Sequence, residues 1–148
     1  GHGFASSRVF DGLGMSDDYS IMLSGDQYRQ FAESALVKAA EDFKGPVFHS
    51  CGNWSHLAPV IKKIPGLQMV DGAFGVQTDP SPNEAEVFPE IFVNSGIVVN
   101  ARIVGDAETV AEQVKKLWVS GMKLIVVTYC QSPKDQQLAY KMIHDICQ

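Results

Sequence analysis

Apolar positions recur along this chain in two rhythms. Short runs rich in β-branched residues alternate with stretches in which apolar residues return every three or four positions. The first helical stretch follows Ser24 and Asp26, both able to cap, and carries Tyr28, Phe31, Ala32, Ala35, Leu36, Ala39 and Phe43 at helical spacing until Gly45-Pro46. Residues 47–51 predict a strand, and Ser55 then opens a helix in which Leu57, Val60, Ile61 and Ile64 share one face before Pro65-Gly66. Residues 67–71 predict the next strand. A loop rich in Gly, Asp and Pro over 72–82 leads into a short helix over 83–92, whose last turn Pro89 weakens. Residues 97–104 predict a third strand and 124–130 a fourth. Between them Asp106 opens a helix with Glu108 and Glu112 near its positive end, an apolar face of Val110, Val114, Leu117 and Trp118, and Gly121 at its close. Ser132-Pro133 starts a final helix with Leu138, Met142, Ile143 and Ile146 directed inward.

The expected fold class is therefore α/β, an N-terminal helical segment followed by four βα units in a single domain over 1–148. Strands separated by helices run parallel, and the apolar runs at 98–99 and 124–127 suit strands covered on both faces. No Gly-rich phosphate loop follows any strand, which favours part of a TIM-type (β/α)8 barrel, its C-terminal half, over an open nucleotide-binding sheet. In either architecture a ligand site lies at the C-terminal ends of the strands.

Composition narrows the partners. The 148 residues carry 12 Lys+Arg against 17 Asp+Glu, a net charge of −5, with no basic run, which argues against nucleic acid. The apolar runs are too short to cross a bilayer and no secretory signal opens the chain, so a cytoplasmic protein without a membrane partner is expected. Three cysteines, Cys51, Cys130 and Cys147, have no regular spacing, which speaks against a disulfide framework and leaves each as core residue, ligand or nucleophile.

The predicted strand ends hold the chemistry. His49 and Cys51 stand at i and i+2, so an imidazole and a thiolate project to the same side, and Gly52 lets the chain turn away. Cys130 ends the fourth predicted strand. The three together have the composition of a zinc site with three protein ligands and one open position, although a strand-end His is also commonly just hydrogen-bonded and a Cys commonly core. Asp71 either accepts a hydrogen bond from a ligand or caps a turn. Asn100 and Arg102 alternate on one side of a strand, and Arg102 either clamps an anionic substrate tail or pairs with an Asp. These three are the candidate catalytic residues. Asp17 and Asp18 either shape the pocket or are solvated turn residues; Trp54 either walls the pocket or packs on the rim. His56 and His144 read as solvent-facing or packing residues, and Cys147 as an incidental thiol.

The stretch His49-Ser50-Cys51-Gly52-Asn53 after Gly-Pro-Val, with Cys130 and the Ser-Pro helix start, resembles the uroporphyrinogen decarboxylase superfamily, and more closely its cobalamin-dependent methyltransferase branch. Asp17-Asp18-Tyr19-Ser20 through Leu23-Ser24, the helix near Gln27-Tyr28, and Val99-Asn100 (where Val99 stands in place of a usual Gly) are similar to the same family. The resemblance implies a barrel that binds zinc through His49, Cys51 and Cys130 and activates a small thiol for methyl transfer with a corrinoid such as methylcobalamin, free or on a partner protein. It covers only the C-terminal part of the family's domain. The porphyrin decarboxylases keep their main Asp and Arg residues in an N-terminal part not seen here and lack the His-x-Cys pair, so tetrapyrrole decarboxylation is the alternative. A non-catalytic corrinoid- or metal-binding fragment is another.

A complete barrel needs about 250 residues. Half a barrel leaves open sheet edges, so either self-association or a missing N-terminal half is expected to complete it.

Overall fold

The computed structural model describes residues 12–148. Five parallel strands, β1 (Leu13–Ser16), β2 (Pro46–His49), β3 (Met69–Ala73), β4 (Val98–Arg102) and β5 (Lys123–Val127), lie side by side in sequence order. The helices α1 (Gly25–Phe31) and α2 (Glu33–Ala39) connect β1 to β2, α3 (Ala58–Ile61) connects β2 to β3, α4 (Phe88–Phe92) β3 to β4, α5 (Ala107–Leu117) β4 to β5, and α6 (Pro133–Ile146) follows β5.

Strand order decides where the helices go. When each strand is added on the same side of the last through a right-handed crossover, every connecting helix falls on the same face of the sheet. The core confirms it. Phe48, Val70, Val99 and Ala101, with Met15, Leu124 and Val126 beside them, face the helices and pack with Leu36, Leu57, Ile61, Phe88, Val110, Val114 and Leu117. A doubly wound sheet would instead reverse its strand order and carry helices on both faces. This one-sided, sequential sheet is compatible with part of a TIM-type unit.

Four differences from the sequence expectation matter. The N-terminal segment is not only helical: β1 precedes α1 and pairs with β2 in register, Ser16 beside His49. The first helix breaks at Ala32 into α1 and α2. Cys130 does not end a strand, because pairing stops where Val127 meets Arg102 and the chain then turns towards α6. Pro89 sits in the first turn of α4, where its missing N–H costs nothing, so that helix begins rather than weakens there.

Close backbone approach explains one glycine. The turn before β2 places Gly45, at φ +150°, so near the carbonyl oxygen of Gly66 that any Cβ would overlap it.

Candidate metal centre

The face of the sheet turned away from the helices carries a row of polar residues. Ser16, His49, Asp71 and Asn100 are register partners across β1 to β4, so their side chains project to the same side. His49, Asp71 and Asn100 are fully buried. Such a row inside a sheet is tolerated only when its hydrogen bonds are made internally.

Asp71 is the common acceptor. One carboxylate oxygen takes the His49 Nδ1–H at 2.5 Å and the Arg102 Nε–H at 3.0 Å, and the other takes the Asn100 amide at 2.5 Å. Arg102 is thus the ion-pair partner of Asp71, and among the described residues its buried Nη2 has no hydrogen-bond partner. With the proton on Nδ1 directed at Asp71, the lone pair of His49 lies on Nε2.

Nε2 looks towards Cys51 and Asp18. It lies 3.7 Å from Cys51 Sγ and 3.8 Å from Asp18 Oδ1, and donor atoms of Asp18, His49 and Cys51 all fall within 4.8 Å of one another. Two donors on one tetrahedral zinc, at ordinary zinc–nitrogen, zinc–oxygen and zinc–sulfur lengths, sit about 3.4–3.6 Å apart. The separations from Nε2 are slightly longer than that, so an ion would draw the groups a little closer, and a borderline-soft ion suits a nitrogen, sulfur and oxygen donor set. His49 with a carboxylate behind it is the arrangement that fixes a metal-binding imidazole in one tautomer and orientation.

Local backbone holds the thiol in place. Gly52, at φ +73°, turns the chain sharply after Cys51. The Cys51 N–H donates to Asp18 Oδ1 at 2.8 Å, the Gly52 N–H to Asp79 Oδ2 at 2.9 Å, and the Trp54 N–H to Asn83 Oδ1 at 2.9 Å. The bond from the Cys51 N–H holds the Asp18 carboxyl below its usual range. Burial, and then the nearby negative charge of Asp18, push the Cys51 thiol up. Both effects favour the neutral thiol, and a cation between these groups would act in the opposite direction.

Cys130 is not brought to this cluster. It lies half-buried in the loop after β5, beside a cleft of about 430 Å³ lined by Gln77, Val104, Asp106, Tyr129, Gln131 and Asp135 among others. β2 and β5 are separated by β3 and β4, which in a flat sheet means about 14 Å. Trp54 belongs to the core rather than a pocket wall, edge-on to Phe48 and Phe88 at 5.0 and 5.1 Å. His56 and His144 are exposed, and Cys147 is half-buried against the core, lining a cleft with Trp118, Leu124 and Val126.

Asp79 and Asn83 carried no signal in the sequence beyond a loop composition. Asp18 reaches Cys51 through a register that only the structure shows: with Ser16 paired to His49, a residue two positions on falls beside Cys51.

Comparisons with family models, with curated proteins and with solved structures give no match. Fold and site define the class by themselves: an all-parallel α/β protein with a candidate His/Cys/Asp metal site at the C-terminal ends of its strands. Among the described residues no helix is long and apolar enough to cross a membrane.

Proposed function

We propose that this chain is the zinc-bearing part of a methyltransferase that moves a methyl group between a corrinoid and a small thiol. The observation that carries the reading is the Asp18, His49 and Cys51 cluster with Asp71 behind His49, placed where parallel α/β folds do their chemistry. A bound zinc supplies Lewis acidity that keeps a thiol ionised at neutral pH.

The chain's own residues do the rest. His49 offers Nε2 while Asp71 keeps the proton on Nδ1 and fixes the ring. Cys51 offers its sulfur from a loop whose amides are tied down. Asn100 and Arg102 hold the Asp71 carboxylate from the far side, so the imidazole has a rigid backing. Cys130, the third ligand implied by the family resemblance, lies outside this cluster and would join it only in a closed barrel that brings the loop after β5 towards β2. That closure needs further strands, supplied by a second copy of this chain or by an N-terminal half, to cover the edge of β5.

The test has two stages. Purified chain should contain or take up one zinc, and loss of it should follow Cys51→Ser. The chain completed by its barrel partner should then move the methyl group of methylcobalamin to a low-molecular-weight thiol, seen as the spectral change of the corrinoid. A chain that takes up no zinc at micromolar concentration sinks the reading.

A further inference from the structure

The loop that carries Cys51 is shaped from outside its own strand. Cys51, Gly52 and Trp54 donate backbone amides to side-chain acceptors that come from two other strands' loops: Asp18 after β1, and Asp79 and Asn83 after β3. Of these, Asp18 is itself part of the cluster and Asn83 is buried in the core, where it also ties Ala73 and Ser55. Asp79 is different. It is not one of the cluster's donors, although its charge is felt by the Cys51 thiol, and its carboxylate bridges the Gly52 N–H at 2.9 Å and the Ser81 N–H at 2.9 Å, one oxygen for each.

That bridge lies at the residue that needs it. Gly52 is in the left-handed region, where glycine has wide freedom, so the direction of the preceding Cys51 side chain depends on what pins the Gly52 amide. The segment holding Asp79 is in turn anchored at the far side: the Val104 N–H donates to Thr78 Oγ1 at 2.8 Å. A continuous chain of contacts therefore runs from the end of β4 through Thr78 and Asp79 to Gly52.

We propose that Asp79 is a positioning residue for the metal centre, fixing the Gly52 amide and thereby the aim of Cys51 Sγ at the point shared with His49 and Asp18. The proposal rests on the metal reading above. It specifies that the site is held together by the loop after β3 as well as by the strands.

Cobalt(II) is the probe, because a sulfur-to-cobalt charge-transfer absorption reports Cys51 as a ligand, independently of any activity. Wild-type chain should bind cobalt with that absorption. Asp79→Ala should weaken cobalt and zinc binding by about tenfold to a hundredfold, as loss of a supporting partner around a metal does, and reduce the absorption at saturating cobalt. Asp79→Asn, which keeps one acceptor oxygen, should fall between the two and decides the matter if Asp79→Ala does not fold. Val114→Ala, which removes core packing of α5 on the helix side of the sheet, should lower stability yet bind as wild type does, separating positioning from general loss of stability. Wild-type affinity and absorption in both Asp79 variants overturn the proposal while leaving the metal reading intact; absence of cobalt and zinc binding in the wild type overturns both.

Discussion

The two ends of the sheet are built by different rules. Across β2, β3 and β4 the face away from the helices holds ionisable and amide side chains at zero exposure, each bonded to the next. At β5 the corresponding positions, Ile125 and Val127, are apolar yet only half-buried, and Leu124 and Val126 on the helix face are likewise half-buried. A buried polar network with a half-covered apolar edge beside it is the reverse of what burial alone would select. The polar row is held together by bonds among its own members within the sheet, and among the described residues β5 pairs with a strand on one side only, which leaves its apolar edge half-covered.

Removing the hub should give the largest effect. Asp71→Ala strips the acceptor from His49, Asn100 and Arg102 together and leaves the Arg102 charge, 14% exposed, without its partner. Urea unfolding should show a loss of about 3–5 kcal/mol. A loss below about 1 kcal/mol would mean that water reaches this row and that the contrast between the two ends is false.

Next is the contrast between the two cysteines. Cys51→Ser should lower zinc affinity by at least about a hundredfold, the upper end of what loss of a mere supporting partner costs, since a cluster sulfur is removed outright. Cys130→Ser, lying outside the cluster, should change zinc affinity of the chain alone by no more than about threefold. Competition against a chromophoric chelator measures both. Equal losses would show that the loop after β5 folds in over the cluster.

How far the sequence foretold this follows from what each element rests on. The strands β2 to β5 were readable because each is a dense apolar run bounded by turn residues, as in Pro46-Val47-Phe48 or Leu124-Ile125-Val126-Val127. β1 was not: Leu13-Gly14-Met15-Ser16 has two apolar residues in four and a glycine within, and only pairing with β2 makes it a strand. Missing β1 hid the register that sets Asp18 beside Cys51, so an acid of the cluster looked like a turn residue. Cys130 failed for the opposite reason. Thr128-Tyr129-Cys130 continues a strand-like composition, but β4 ends at Arg102 and gives nothing further to pair with. The break at Ala32 has no Gly or Pro to announce it. His49, Asp71, Asn100 and Arg102 could be singled out by position at strand ends, whereas their convergence on one carboxylate depends on register, which no local pattern encodes.

Packing offers a third way to compare the ends. Val99 on β4 is fully buried, and Val126 on β5 is half-buried on the same helix-facing side. Val99→Ala should cost about 2–3 kcal/mol, from two lost methyl groups and the cavity they leave. Val126→Ala should cost less than about 1 kcal/mol in the isolated chain. If a partner completes the sheet, the cost at Val126 should rise towards that at Val99 when the partner is added, which thermal unfolding at several protein concentrations detects.

The smallest effect separates the ends at the level of single helix caps. Ser24 accepts from the Gln27 N–H while the Gln27 side chain accepts from the Ser24 N–H, closing a reciprocal cap on α1, and α1 is anchored by Tyr28, fully buried and edge-on to Phe48. Ser132 caps α6 by accepting from the Asp135 N–H at 3.2 Å; each helix has one buried residue among those described, but in α6 it is the small Ala139, seven positions beyond the cap, and in α1 the large Tyr28, four positions beyond it. A cap matters in proportion to how firmly the turn it starts is held, since a loosely packed first turn can fray and satisfy its amides with water. Ser24→Ala should therefore cost about 1 kcal/mol and Ser132→Ala no more than about half of that. Amide exchange over residues 25–31 and 133–139 is the measurement. Faster exchange in the wild type over 133–139, with little further change on Ser132→Ala, places the yielding end of the molecule at β5 and α6; equal sensitivity at both caps would mean that α6 is as firmly seated as α1 and that the unfinished edge ends at β5 itself.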